Sequence, residues 1–260
     1  MSLSNPPRYV AGHNLLESKR VIVTAAAGTG IGYAAARRCA EEGAQLLISD
    51  IHEGRLADAA ERLNNDTGQL PATCLCNVTE QSDVDGLFRV AQETFGPPDI
   101  VINNAGLGGT ADLVDMTDEQ WSSVLDVTLN GTFRMTRAAM QQMGDAGGVI
   151  VNNASVLGWR AQQGQAHYAA AKAGVMALTR CAGIEGAAMG IRVNAVAPSL
   201  AMHPFLAKVT TDELLQELTA KEAYGRAAEV WEVANVMVFL ASDYSSYMTG
   251  ETVAVSSQRA

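Results

Sequence analysis

Tyr168 and Lys172, four residues apart in His167-Tyr168-Ala169-Ala170-Ala171-Lys172, have the types and spacing that could do chemistry. On an α-helix that spacing stacks both side chains on one face, so a phenol and an ammonium meet in one cleft. A phenol titrates near pH ~10, and a neighbouring ammonium favours its phenolate form. Tyr168 is therefore expected to be acidified towards the range in which it exchanges a proton at neutral pH. Ser155 lies thirteen residues upstream of Tyr168, just past the apolar run Val149-Ile150-Val151. That run reads as a buried strand, and its end makes the serine hydroxyl accessible to a substrate oxygen. Taken alone, the tyrosine and lysine also fit an exposed helical pair, and Ser155 a strand-end serine bonded to nearby backbone.

The segments that must position these groups alternate in type. Arg20-Val21-Ile22-Val23-Thr24 reads as a first buried strand, Ala25 to Gly32 as a glycine-rich turn, and Tyr33 to Glu42 as an alanine-rich helix stopped by Gly43. Gly28, Gly30, Ile31 and Gly32 then form a cradle for a dinucleotide pyrophosphate: a helix N-terminus offers free amides, and glycines let the backbone approach. The next strand, Gln45 to Ser49, delivers Asp50 where ribose recognition needs an acid. A polar helix around 53–65, a strand around 72–76, a helix over 80–95 and a strand over 99–103 continue the pattern, the last released by Gly96-Pro97-Pro98. Repeated strand–helix units imply parallel strands with right-handed crossovers. Thr117-Asp118-Glu119-Gln120 predicts a capping box before one long helix to about Met143, with Trp121, Val124, Leu125 and Thr128 on one face.

Composition narrows the function. A chain of 260 residues suits one α/β domain, and 18 basic against 28 acidic residues give a net charge of −10. That charge opposes attraction to nucleic acid and to acidic lipid surfaces. No apolar run reaches membrane-spanning length, and residues 1–18 read as a polar leader with Pro6 and Pro7 rather than a signal peptide. Four cysteines form no disulfide framework and, with four scattered histidines, no metal-ligand pattern, so reduced thiols in a soluble cytoplasmic protein without a metal are expected.

Ser155, Tyr168 and Lys172 in this register, behind the glycine turn and Asn103-Asn104-Ala105-Gly106, resemble the short-chain dehydrogenase/reductase family over most of the chain. The resemblance implies a single Rossmann-type domain over 19–260, a doubly wound parallel sheet flanked by helices, with 200–222 as a substrate lid. It implies an oxidoreductase interconverting a secondary alcohol and a ketone by hydride transfer with NAD(P). Tyr168 moves the proton, Ser155 positions the oxygen, and Lys172 holds the nicotinamide ribose and acidifies Tyr168. Cofactor contacts carried over are Gly28, Gly30, Ile31, Gly32, Asp50, Ile51, Asn77, Val78, Asn103, Ala105, Gly106, Tyr168, Lys172, Pro198, Ser199 and Leu200. NAD is expected over NADP, because Asp50 brings like charge against a 2′-phosphate.

Several positions depart from the family pattern. Thr128 stands where an asparagine usually completes a proton relay, so either its hydroxyl holds the relay water or the relay differs. Ser199 and His203 replace a glycine and a threonine of the nicotinamide loop, Ala25 a glycine, Asn77 an aspartate, and Ser256-Ser257-Gln258 an Asp-Gly-Gly tail. The segments Thr24–Gly32, Asn152–Arg160 and Ser242–Tyr247 are similar to bacterial reductases of steroid C/D-ring breakdown, which act on a hydroxy-indane acyl-CoA. Such a substrate would meet Ser155, Trp159, Arg160 and His203. 3-Oxoacyl-carrier-protein reductases are the alternative, and a non-catalytic dinucleotide-binding subunit a third reading. The family also implies a homotetramer.

Overall fold

Val21 and Val23 face one layer of helices while Ile22, between them, faces the other, and Leu46, Leu47 and Ile48 repeat the pattern on the next strand. Strands apolar on both faces must be covered on both, which is the requirement that a parallel sheet between two helical layers meets. The computed structural model describes residues 4–202 and 212–258. Its order begins β1 (Arg20–Thr24), α1 (Ile31–Glu41), β2 (Gln45–Asp50), α2 (Glu53–Thr67), β3 (Ala72–Leu75), α3 (Gln81–Thr94) and β4 (Ile100–Asn103). It continues with α4 (Asp118–Leu125), α5 (Gly131–Met143), β5 (Gly148–Asn153), α6 (Ala166–Ala187) and β6 (Ile191–Pro198). Then come β7 (Ala201–Met202), α7 (Asp212–Ala220), β8 (Ala228–Glu229), α8 (Val230–Ala241) and β9 (Thr252–Val255).

Seven parallel strands pair in the order β3-β2-β1-β4-β5-β6-β9, a Rossmann-type doubly wound sheet. The order reverses where β1 lies between β2 and β4, and open sheets of this kind bind ligands beyond the strand ends at that point. Helices α1 and α8 pack on one face through Ala35, Val233 and Met237, and α3 and α5 on the other through Leu87, Phe88 and Met135. Truncating one such buried aliphatic or aromatic side chain to alanine would cost about 2–5 kcal/mol.

Two expectations need correction. The helix anticipated from Thr117 to Met143 is interrupted: α4 starts on the expected capping box, but Asp126–Asn130 forms a π-helical turn before α5. No residue type encodes that turn. On the face expected to be shared, Trp121 is exposed, while Val124 and Thr128 are buried. Second, part of the expected leader is docked. His13 N and Leu15 N donate to Glu42 Oε2 at 2.7 and 3.0 Å, Arg38 donates to the Val10 and Ala11 carbonyls, and Leu16 is fully buried.

Candidate active site

β4 and β5 run in register with Asn103 opposite Asn152, and both strand ends carry the dipeptide Asn-Asn. The first rung looks inward: Asn103 Nδ2 donates to Thr136 Oγ1 (3.2 Å) and Asn152 Oδ1 (2.9 Å), and Asn152 Nδ2 donates to Thr179 Oγ1 (3.0 Å). It ties α5 and α6 across the sheet. One residue on, the second rung reaches the cleft. Asn153 Nδ2 donates to Asn104 Oδ1 (2.9 Å), Asn104 Nδ2 to Ala25 O (3.2 Å), and Lys172 Nζ to Asn153 O. Ala25 adopts φ +51°, a left-handed conformation that strains a residue with a Cβ, where the family has glycine.

Ser155, Tyr168, Lys172 and Thr128 are brought together. The 3₁₀ turn Val156–Gly158 is capped by Ser155 Oγ, which accepts from Leu157 N at 3.2 Å, and Tyr168 hydrogen-bonds to Ser155. Lys172 Nζ lies 5.5 Å from the Tyr168 ring centroid. The Gly106–Gly109 loop crosses over them: a Cβ on Gly106 would stand 3.5 Å from Lys172 Nζ and 3.8 Å from Thr128 Oγ1. Both are ordinary van der Waals distances, so the loop backbone lies directly against the lysine and the threonine.

The electrostatics differ from the sequence expectation. Burial pushes the Tyr168 phenol up to about 12, against the opposing hydrogen bond from Ser155, and pushes Lys172 down to about 8. Desolvation of a charge in this cleft outweighs the attraction between phenolate and ammonium. Tyr168 is thus protonated at neutral pH rather than acidified. Thr128 Oγ1 accepts from Leu107 N (3.0 Å) and donates to Leu107 O (3.1 Å), so its only hydroxyl hydrogen is committed to backbone rather than to a relay water. Asn130 is exposed and bonded to Asp126 Oδ1, away from the cleft.

The glycine turn and Asp50 meet at the switch point. Asp50 Oδ2 accepts from Ala27 N (3.2 Å) and Oδ1 from His52 N (3.1 Å). Burial raises its pKa, opposed by the Ala27 bond and by the charge of Arg55. Gly30 caps α1 without a side-chain bond, and a Cβ on Gly28 would meet only Gly30 N, at 3.8 Å. A Cβ on Gly32, by contrast, would stand 2.3 Å from Ala25 O. Open space above Gly28, free first-turn amides and a carboxylate beside them fit a dinucleotide. The Arg37 and Arg38 guanidiniums, on the helix that follows the turn, are taken up by Glu41 and Asp66 and by Glu42, respectively.

Other expected contacts are more dispersed. Asn77 Oδ1 accepts from Thr79 N and Oγ1, Val78 packs where a Cβ on Gly131 would lie 2.6 Å away, and Ile51 is exposed. Pro198 pairs with Val255, Ser199 N donates to Val255 O, and Leu200 N donates to Glu222 Oε1. Trp159 is exposed, and Arg160 donates to Gln258 Oε1 at 2.7 Å. His203 lies outside the described residues. Three groups escaped the sequence reading. His167, 2 % exposed, accepts a bond from Tyr168 N at Nδ1 (2.9 Å) and lies under Gly109, and Glu222 is equally buried. Asn153 could have been found from the repeated Asn-Asn.

Among the described residues, no three His, Cys, Asp or Glu side chains cluster as metal ligands, and no helix is long and apolar enough to cross a membrane. All four cysteines are free, and burial raises the Cys39 and Cys76 thiols to about 12.

Residues 25–257 match a family profile described as enoyl-(acyl carrier protein) reductase. The chain is 57 % identical over 260 residues, 99 % of each chain, to the (5R,7aS)-5-hydroxy-7a-methyl-1-oxo-2,3,5,6,7,7a-hexahydro-1H-indene-carboxyl-CoA reductase of Mycobacterium tuberculosis. It is 36 % identical over 241 residues, 92 % of this chain and 97 % of the other, to a 3-oxoacyl-[acyl-carrier-protein] reductase of Thermotoga maritima. A crystal structure of a short chain dehydrogenase from Mycobacterium smegmatis superposes with a TM-score of 0.88 at 54 % identity, covering 99 % of this chain and 100 % of that one.

Proposed function

Because the chain belongs to the short-chain dehydrogenase/reductase family, oxidoreductases that act on CH–OH groups with NAD(P), we propose that it reduces a ring-borne ketone of an acyl-CoA. The observation that carries this reading is full-length 57 % identity to a reductase whose named substrate is a fused-ring carboxyl-CoA. The 36 % identity to a 3-oxoacyl-[acyl-carrier-protein] reductase supports the alternative less. Trp159, exposed just past Ser155, offers a flat apolar wall to a ring system.

Ser155 holds the carbonyl oxygen through its hydroxyl, and Tyr168, protonated at neutral pH, delivers the proton to that oxygen. Lys172 holds the nicotinamide ribose with a charge that Asn153 O orients. Thr128 fixes the Gly106–Gly109 loop over the lysine rather than passing a proton. When bound, the dinucleotide supplies the hydride. Gly28, Gly30, Ile31 and Gly32 take its pyrophosphate, Asp50 and Ile51 its ribose, and Asn77 and Val78 its adenine end. Ala105, Gly106, Pro198, Ser199 and Leu200 would line its path, and Asn103, turned inward, would support the sheet beneath it. Asp50, half-buried and without a bonded cation, favours NAD(H) over NADP(H).

The assembly is a homotetramer in a reducing, cytoplasmic compartment. Free buried thiols support the compartment, and exposed Trp121, Phe133 and Ile184 on α4, α5 and α6 support helix-to-helix contacts between subunits. The test is NADH-coupled kcat/KM for a fused-ring keto acyl-CoA against a linear 3-oxoacyl thioester. At least tenfold preference for the ring substrate is expected. Preference for the linear one would reassign the substrate, and absence of turnover with both would favour a binding-only subunit.

A further inference from the structure

Glu222 is 2 % exposed and lies between α7 and β8, outside every motif of the family. Its Oε2 accepts from Ser257 Oγ at 2.8 Å and its Oε1 from Leu200 N at 3.4 Å. Among the described residues no lysine or arginine pairs with it: Arg226, which lines the same 120 Å³ cavity, is held by both oxygens of Glu232. A buried carboxylate served by one hydroxyl and one long amide contact is incompletely compensated, which is costly unless a positive charge arrives nearby. What its backbone partner does suggests where that charge comes from. Leu200 follows Pro198 and Ser199 on the segment assigned above to the nicotinamide, and this segment is pinned on its other side by Ser199 N to Val255 O.

We propose that Glu222 sets which oxidation state of the dinucleotide this enzyme holds more tightly, by placing a negative charge behind the nicotinamide loop that favours the cationic, oxidised ring. The proposal rests on the dinucleotide reading of the cleft and deepens it. Oxidised and reduced nicotinamide differ by one positive charge on the ring and hardly in shape, so a fixed charge distinguishes them where packing does not. At an effective dielectric near ~20, a unit charge within about 10 Å changes their relative affinity by roughly tenfold. Glu222 acts through the field and through Leu200 without touching the reacting atoms, which makes it a positioning residue. Ser257 is its hydroxyl donor, and both stand where the sequence leaves the family pattern or carries no motif.

The test uses direct binding of NAD+ and NADH to the full-length protein, by calorimetry for the first and fluorescence energy transfer for the second. Glu222→Gln keeps the shape and an acceptor oxygen for Leu200 N, with an amide N–H able to donate to Ser257 Oγ, while removing the charge. It should weaken NAD+ about tenfold and leave NADH within about twofold. Ser257→Ala, which keeps the charge, should leave the ratio of the two Kd values within about twofold of the unmodified protein. If Glu222→Gln does not fold, Glu222→Met, close in size and uncharged, carries the same expectation. A Glu222 variant that shifts both dinucleotides equally, or neither, overturns this inference alone. An unmodified chain that binds neither dinucleotide overturns the proposed function and this inference with it.

Discussion

At the proposed dinucleotide end of the cleft, Asp50 is half-buried and spreads its carboxylate over two backbone amides, Ala27 N and His52 N. At the reacting end, Lys172 is 3 % exposed and donates to one carbonyl, Asn153 O, while Tyr168 bonds Ser155. Burial raises the pKa at both ends for the acids, but only at the reacting end does it move a group as far as about 12 and its neighbour down to about 8. The recognition end keeps its charge by surrounding it with donors. The other end disfavours charge and so holds a neutral phenol, the group from which the proposed mechanism takes its proton. Substitutions at the two ends should therefore move different quantities.

Tyr168→Phe removes only the transferable proton and should lower kcat by roughly 10³, within the range for lost general acid catalysis, with the KM for NADH within about threefold. Single-turnover hydride transfer at near wild-type rate would remove the distinction between the two ends.

Lys172→Met should lower kcat and raise the KM for NADH, while making the dinucleotide-free protein more stable at pH 7. The folded pKa of Lys172 lies below its ordinary 10.5, so the unfolded chain binds the proton more tightly. The resulting penalty is fully present below about pH 8 and disappears as pH rises towards about 10.5, with an upper size on the order of 3 kcal/mol. Urea denaturation at pH 7 and pH 10 would measure it. A variant less stable than the parent at pH 7 would mean that the ammonium is well solvated after all.

Asp50→Ala acts at the other end and should raise the KM for NAD about tenfold, relax discrimination against NADP, and leave kcat within about twofold. A drop in kcat with unchanged KM would show that the recognition end governs chemistry. The smallest effect is expected at Ala25, whose φ of +51° glycine tolerates better. Ala25→Gly should raise the denaturation midpoint by up to about 1 kcal/mol of stability, without changing the KM for NAD.

The legible parts of this molecule are those that residue type and spacing encode. Strand ends, the glycine turn, Asp50, and the Ser155, Tyr168 and Lys172 set were readable because each needs a particular side chain at a fixed distance along the chain. The π turn at Asp126–Asn130 was not, since it reflects how α4 and α5 must meet the cleft rather than any local propensity. Nor was the protonation state of Tyr168. The four-residue spacing guarantees that Lys172 is near, but burial by the Gly106–Gly109 loop is a tertiary fact, and it decides the sign of the shift. Glu222 escaped because both its partners, Leu200 and Ser257, are distant in sequence.

The claim on which the reductase mechanism stands is that Tyr168 is a neutral proton donor in the dinucleotide-free cleft. Ultraviolet titration of phenolate in the parent protein minus that in Tyr168→Phe isolates this one group. No difference signal should develop up to about pH 10, consistent with a phenol held near 12 by burial. A phenolate appearing with a midpoint between about 7 and 9 would contradict it, and would restore Lys172 as the group that acidifies Tyr168.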